Sequence, residues 1–133
     1  METSALLAAL LEQDSAARRA LRATGQRVTS LLTLAEANRA LVRAAVTGRL
    51  SQDDQRRAVQ ALETFAVRCD LVAVSEDVLS RAGRPFPVEP IRTLDGVHLA
   101  TVELLGQPPA LLTILTRDAR IRDNAQALGY AVA

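Results

Sequence analysis

The sequence predicts a single α/β domain with a mostly parallel sheet, and three observations carry that expectation. Short apolar runs alternate with stretches of helical periodicity along all 133 residues. No repeat, low-complexity segment or long linker divides the chain, so residues 1–133 read as one unit. The most apolar run, Ala110 to Leu115, has the character of a parallel strand covered on both faces.

Thr3 or Ser4 is placed to cap a first helix through Leu11, and Asp14 to cap a second that ends before Thr24-Gly25. Val28 to Leu31 reads as a strand. Leu34, Ala37, Leu41 and Ala45 recur at helical spacing, which predicts a helix from about Leu32 to Thr47 that Gly48 ends. Ser51 followed by Asp54 resembles a capping box, and Ala58, Leu62 and Phe65 form the buried stripe of a helix reaching about Arg68. Leu71 to Val74 reads as a second strand, followed by a short helix capped by Ser75 and ended by Gly83. Pro85, Pro87 and Pro90 lack amide hydrogens, so that stretch is a loop. It leads to Thr93, read as the cap of a helix over Leu94 to Leu105 that Gly106 and Pro108-Pro109 terminate. After the Ala110 to Leu115 strand, Asp118 caps a last helix carrying Ile121, Ala125 and Leu128. Gly129 ends it, and Tyr130 to Val132 forms a terminal strand.

A chain of this length buries roughly two-thirds of the surface its unfolded form exposes, so one core is expected. With no Trp, one Tyr and two Phe, aliphatic side chains must fill it. The longest apolar runs, Ala5 to Leu11 and around Ala110 to Leu115, fall far short of the roughly 20 residues of a membrane span. The opening Met-Glu-Thr-Ser lacks the basic-then-apolar pattern of a secretory signal. A cytoplasmic protein with no membrane span is the expectation. Cys69 is the single cysteine, which excludes an internal disulfide, and it reads as a buried thiol. A net charge of +1 argues against holding nucleic acid through a bulk basic field, so any RNA contact must be local. Every basic side chain is Arg, whose fork suits phosphate, although GC-rich coding produces the same bias.

In open parallel sheets the binding crevice lies at the carboxyl ends of the strands, so acids there are the candidates. Four stand out: Glu2 beside the first helix, Glu36 in the helix after the first strand, Asp95 opening a helix, and Asp118 after the apolar strand. Each has a structural alternative. Asp118 is a natural N-cap, Asp95 complements a helix dipole, and Glu36 shares a helix face with Arg39 and Arg43. Jointly the four are a donor set for a hard cation such as Mg²⁺, which binds oxygen, keeps several waters and needs few carboxylates. His98, three residues after Asp95, does not read as a zinc ligand, because there is no second His and Cys69 is distant. Packing, or a bond supporting a neighbour, is its expected role.

Four segments, in order, resemble the PIN domain family over essentially the whole chain. Arg92-Thr93-Leu94-Asp95-Gly96-Val97-His98-Leu99-Ala100-Thr101 is similar to the family's helix in which an acid precedes an apolar turn, His, Leu and Ala. Leu115-Thr116-Arg117-Asp118 is similar to its threonine-x-aspartate after the fourth strand. Thr33-Leu34-Ala35-Glu36 resembles the segment of its internal glutamate, and Thr3-Ser4-Ala5-Leu6 the hallmark after its first acid. The resemblance implies a PIN-like three-layer α/β/α fold with one acidic pocket. Glu2, Glu36, Asp95 and Asp118 would be its catalytic metal ligands, with Ser4 and Thr116 as hydroxyl partners that orient water or acid, and Mg²⁺ or Mn²⁺ as the cofactor. The implied activity is endonucleolytic hydrolysis of RNA by the toxin of a toxin–antitoxin pair. Its partners are then an RNA substrate and a cognate antitoxin, with a homodimer as a further assembly. Arg92 and Arg117 flank two of the acids and are the expected RNA phosphate contacts.

The family opens with an apolar central strand ending in aspartate. Here that strand is missing or truncated, and Glu2 takes the place of the acid, one methylene longer but with the same charge and oxygens. Neighbouring strands are expected to be left with unpaired backbone groups or to be forced together, at roughly 1–3 kcal/mol for each buried unpaired amide. A few apolar, β-branched residues upstream are expected to complete the natural protein. Two further functional readings stay open: a nuclease of RNA processing without toxicity, and a catalytically inactive PIN-like module that binds a partner.

Overall fold

The computed structural model describes every residue from Met1 to Ala133. Helices α1 (Thr3–Leu10) and α2 (Ser15–Arg22) come first, then strand β1 (Val28–Ser30), helices α3 (Leu31–Val46) and α4 (Gln52–Val67), and strand β2 (Asp70–Val72). Helix α5 (Glu76–Ala82), the proline-containing loop, α6 (Thr93–Leu104), β3 (Thr113–Ile114), α7 (Ala119–Ala127) and β4 (Ala131–Val132) complete the chain.

Most helix starts follow local chemistry. The side chains of Asp14, Ser51, Ser75 and Asp118 accept from amides of the first turns of α2, α4, α5 and α7, satisfying donors that have no partner inside a helix. Two expected caps are corrected. Helix α1 is capped by Glu2, whose carboxylate accepts from the Ser4 amide, and not by Thr3 or Ser4. Helix α6 is capped at Arg92 and not at Thr93, because the Asp95 carboxylate reaches back to the Arg92 amide. Strand β1 also stops one residue early, since Ser30 accepts from the Leu32 amide and starts α3 at Leu31.

The strands pair in parallel, β1 with β2 and β3 with β4, and the two pairs are separate. Met1 and Glu2 bridge them. The Met1 ammonium donates to Val28 O at 2.8 Å, Thr29 Oγ1 donates to Met1 O at 2.7 Å, and the Glu2 amide donates to Leu115 O at 2.9 Å. These residues act as the last rung of a strand between β1 and β3. Past them runs a cleft of about 770 Å³ whose walls include Gln26, Val28, Leu112 and Ile114. The neighbours are thus held apart and not forced together. Burial pushes the pKa of the Met1 amine down, against the opposing charges of Cys69 and Glu2.

Three expectations need correction. The Ala110 to Leu115 strand shrinks to Thr113–Ile114, because Pro109–Leu111 forms a 3₁₀ turn in which the Leu111 amide bonds Pro108 O, leaving Leu111 exposed. The single core is two main clusters. One joins Val78, Val97, Leu99, Ile114 and Ile121, and the other joins Leu6, Ala37, Leu41, Leu62 and Phe65. Cys69 is half-buried at the edge of the second cluster, with its thiol pKa pushed up chiefly by desolvation. No helix is long and apolar enough to cross a membrane.

Candidate acidic active site

Hydrogen bonds link three of the four candidate acids, Glu2, Asp95 and Asp118, at helix starts, while Glu36 is held separately by Thr3 and His98. Glu2 is buried at the start of α1. Its Oε1 accepts from the Ser4 amide at 2.9 Å, and its Oε2 accepts from Ser4 Oγ at 2.5 Å and Thr116 Oγ1 at 2.7 Å. The same hydroxyl oxygens accept from the Asp118 amide, each at 3.1 Å. Ser4 and Thr116 therefore tie the Glu2 carboxylate to the backbone that carries Asp118.

Asp118 uses Oδ1 to cap α7, accepting from the Arg120 amide at 2.8 Å, while its Oδ2 accepts from Arg92 Nη2 at 3.0 Å. Asp95 lies buried in the first turn of α6, where its negative charge also suits the helix dipole. Its Oδ2 accepts from the Arg92 amide at 3.1 Å and from Nε at 3.0 Å, and its Oδ1 accepts from Nη2 at 3.1 Å. Gly96 seats this turn: a Cβ there would stand 3.1 Å from Ala82 O, so α6 presses on the end of α5 as no larger residue would allow without a shift.

Glu36, on the second turn of α3, accepts from Thr3 Oγ1 at 2.7 Å and lies 2.6 Å from His98 Nε2. Its partners are this buried His and Thr3, not Arg39 or Arg43. Burial disfavours its carboxylate, but the hydrogen bonds from His98 and Thr3 and the His98 charge outweigh burial and the nearby Asp95, holding its pKa below the ordinary 4.5. The Arg92 pKa is raised, first by its hydrogen bonds to Asp95 and by that residue's charge, with Asp118 and Glu36 adding to the effect. One exposed guanidinium thus lies in the field of three acids.

The sequence profile of the PIN domain matches residues 1–127. The chain belongs to the PIN domain family. It is 40% identical over 134 residues to Ribonuclease VapC46 of Mycobacterium tuberculosis, an overlap of 99% of this chain and 93% of that protein. It is 30% identical over 105 residues to Ribonuclease VapC35 of the same species, an overlap of 79% of this chain and 70% of that protein.

In this PIN domain no three acid, His or Cys side chains stand close enough to enclose a metal ion. The donor chemistry nevertheless fits a hard cation that keeps most of its waters and takes one or two carboxylates. One positively charged group, Arg92 Nη2, already rests on Asp95 Oδ1 and Asp118 Oδ2 together. Glu2 differs, with both oxygens already accepting from Ser4 or Thr116. Arg117 is drawn away, its Nε donating to Asp14 Oδ2 at 3.0 Å.

Sequence reasoning missed one supporting residue. Asn124, fully buried in α7, donates to Val88 O and accepts from the Val88 amide, each at 2.8 Å, and so fixes the loop that delivers Arg92. Its position on the same helix face as Ile121, Ala125 and Leu128 was the available signal, because a buried polar side chain needs partners.

Proposed function

We propose that this chain is a metal-dependent endoribonuclease, the toxin of a toxin–antitoxin pair. The observation that carries the reading is the approach of Asp95 and Asp118 to one cationic group, with Glu36 close enough to act on the same charge, in a PIN domain related to two named ribonucleases.

Asp95 and Asp118 would hold Mg²⁺ or Mn²⁺, with Glu36 adding negative charge and Glu2 supporting the site through Ser4 and Thr116. A bound divalent ion supplies polarisation of a phosphoryl oxygen and an acidified water for attack on phosphorus. The chain's own groups do the positioning. His98 and Thr3 keep Glu36 ionised and oriented. The amino ends of α1, α6 and α7 meet at the acids and favour an incoming phosphate. Phosphodiester hydrolysis here needs no covalent enzyme intermediate.

The antitoxin of such a pair would cover the crevice and direct a cation at the acids, relieving their mutual repulsion as a metal does. A cytoplasmic location follows from this role, and a homodimer is compatible with it. The test is RNA cleavage by the full chain with Mg²⁺, with EDTA, and by Asp95→Asn. Cleavage that EDTA and Asp95→Asn both abolish supports the reading. Cleavage untouched by either refutes it.

A further inference from the structure

We propose that Arg92 is an internal counter-ion of the acidic site, which a metal ion displaces and which is then released to bind an RNA phosphate. The inference rests on the metal-dependent reading above and goes beyond it in coupling the metal to the RNA through one side chain.

Asp118 commits Oδ1 to the cap of α7, which leaves Oδ2 for a cation. Asp95 commits Oδ2 to the Arg92 amide, which leaves Oδ1. A single atom, Arg92 Nη2, contacts both of these remaining oxygens, at 3.1 Å for Asp95 Oδ1 and 3.0 Å for Asp118 Oδ2. An ion that Asp95 and Asp118 held would need the same two oxygens that this atom now contacts. Metal and guanidinium therefore exclude one another.

The exposures show which partner moves. The Asp95 side chain is 5% exposed and that of Asp118 is 19%, whereas that of Arg92 is 64%. The acids are fixed by their helices. The guanidinium bonds nothing but these two carboxylates, so it can swing out on its flexible stem into solvent beside the pocket. Free, its planar fork matches a phosphate in bidentate geometry. An ion that takes the acids then supplies a phosphate-binding cation at the rim. Metal and RNA must strengthen each other's binding by the same factor, because the coupling is reciprocal.

The test uses the full chain as wild type, Arg92→Gln and Arg92→Lys, with Mn²⁺ alone in calorimetric titration and Asp95→Asn as the site control. Substitution keeps the Arg92 backbone amide that bonds Asp95, and a thermal melt verifies folding. Arg92→Gln should bind Mn²⁺ about two- to fivefold tighter than wild type, the scale of losing one exposed competing ion pair. Arg92→Lys should lie between. A labelled 2′-O-methyl RNA dodecamer should bind wild type more tightly once Mn²⁺ is added, and Arg92→Gln should lose that gain. If folded Arg92→Gln binds Mn²⁺ no tighter than wild type, while Asp95→Asn removes binding, the counter-ion is refuted and the metal site stands. If neither wild type nor Arg92→Gln binds Mn²⁺ through Asp95, both readings fall together.

Discussion

His98 Nε2 lies 2.6 Å from Glu36 Oε1, which joins the buried face of α6 to the second turn of α3 across 62 residues of sequence. The contact fixes one oxygen of an acid at the mouth of the site, and Thr3 fixes the same oxygen from α1. The protein thus spends its only His on holding a carboxylate ionised.

That arrangement predicts a pH dependence of stability. The folded pKa of Glu36 lies below its ordinary 4.5, so its stabilising contribution is complete above 4.5 and is lost as the pH falls through the lower folded value. In EDTA, the difference in urea midpoint between wild type and Glu36→Gln should shrink as the pH falls below about 4.5. His98→Gln should move the onset of the loss to higher pH. A difference that is constant down to pH 3 would show that Glu36 is not held ionised.

Asp95→Asn should lower RNA cleavage by about 100-fold or more, the scale seen when one group aimed at transition-state charge is removed. The fold should survive, because Asn retains an oxygen for the Arg92 amide. Circular dichroism and a thermal melt run beside the cleavage assay separate the two effects. An Asn variant that cuts RNA at the parental rate would make Asp95 a structural cap only.

Asn124→Ala should destabilise the protein by about 1–3 kcal/mol, since it leaves the Val88 amide and carbonyl without their partner. A fall of several degrees in Tm is expected. Cleavage measured well below that Tm should also drop, because the loop held by Asn124 sets the start of α6. Loss of stability with unchanged cleavage would show that the loop does not position the site.

The legible parts of this molecule are those decided by neighbours in sequence. Asp14, Ser51, Ser75 and Asp118 lie next to the helices they cap, and Pro85, Pro87 and Pro90 rule out a strand whatever surrounds them. The candidate acids were found by motif order, but their arrangement was not, because it depends on contacts between distant segments. Arg92 shows the boundary. Its pairing with Asp95 is a local spacing of three residues, whereas its bond to Asp118 spans 26. Read locally it is a free RNA contact; in the fold it is tied to two acids. The apolar run before Leu115 failed for a related reason. Its composition suits a buried strand, but Pro109 opens a 3₁₀ turn and the strand on one side is lacking.

The cleft between β1 and β3 supports the final prediction. The backbone of Met1 and Glu2 bonds both half-sheets, and the walls beyond it include strand residues on each side with no partner strand between. Four alternating β-branched and apolar residues joined ahead of Met1 should therefore continue this rung as a parallel strand. They would turn the buried Met1 ammonium into an ordinary amide and so remove a charge that burial disfavours. The expected result is a rise in Tm of several degrees, with slower hydrogen exchange at the amides of Val28 and Ile114. A Gly-Ser extension of equal length is the control, because it removes the terminal charge equally but offers little apolar surface and weak strand propensity. Equal gains from both extensions would assign the effect to the terminal charge and count against the cleft as a strand site.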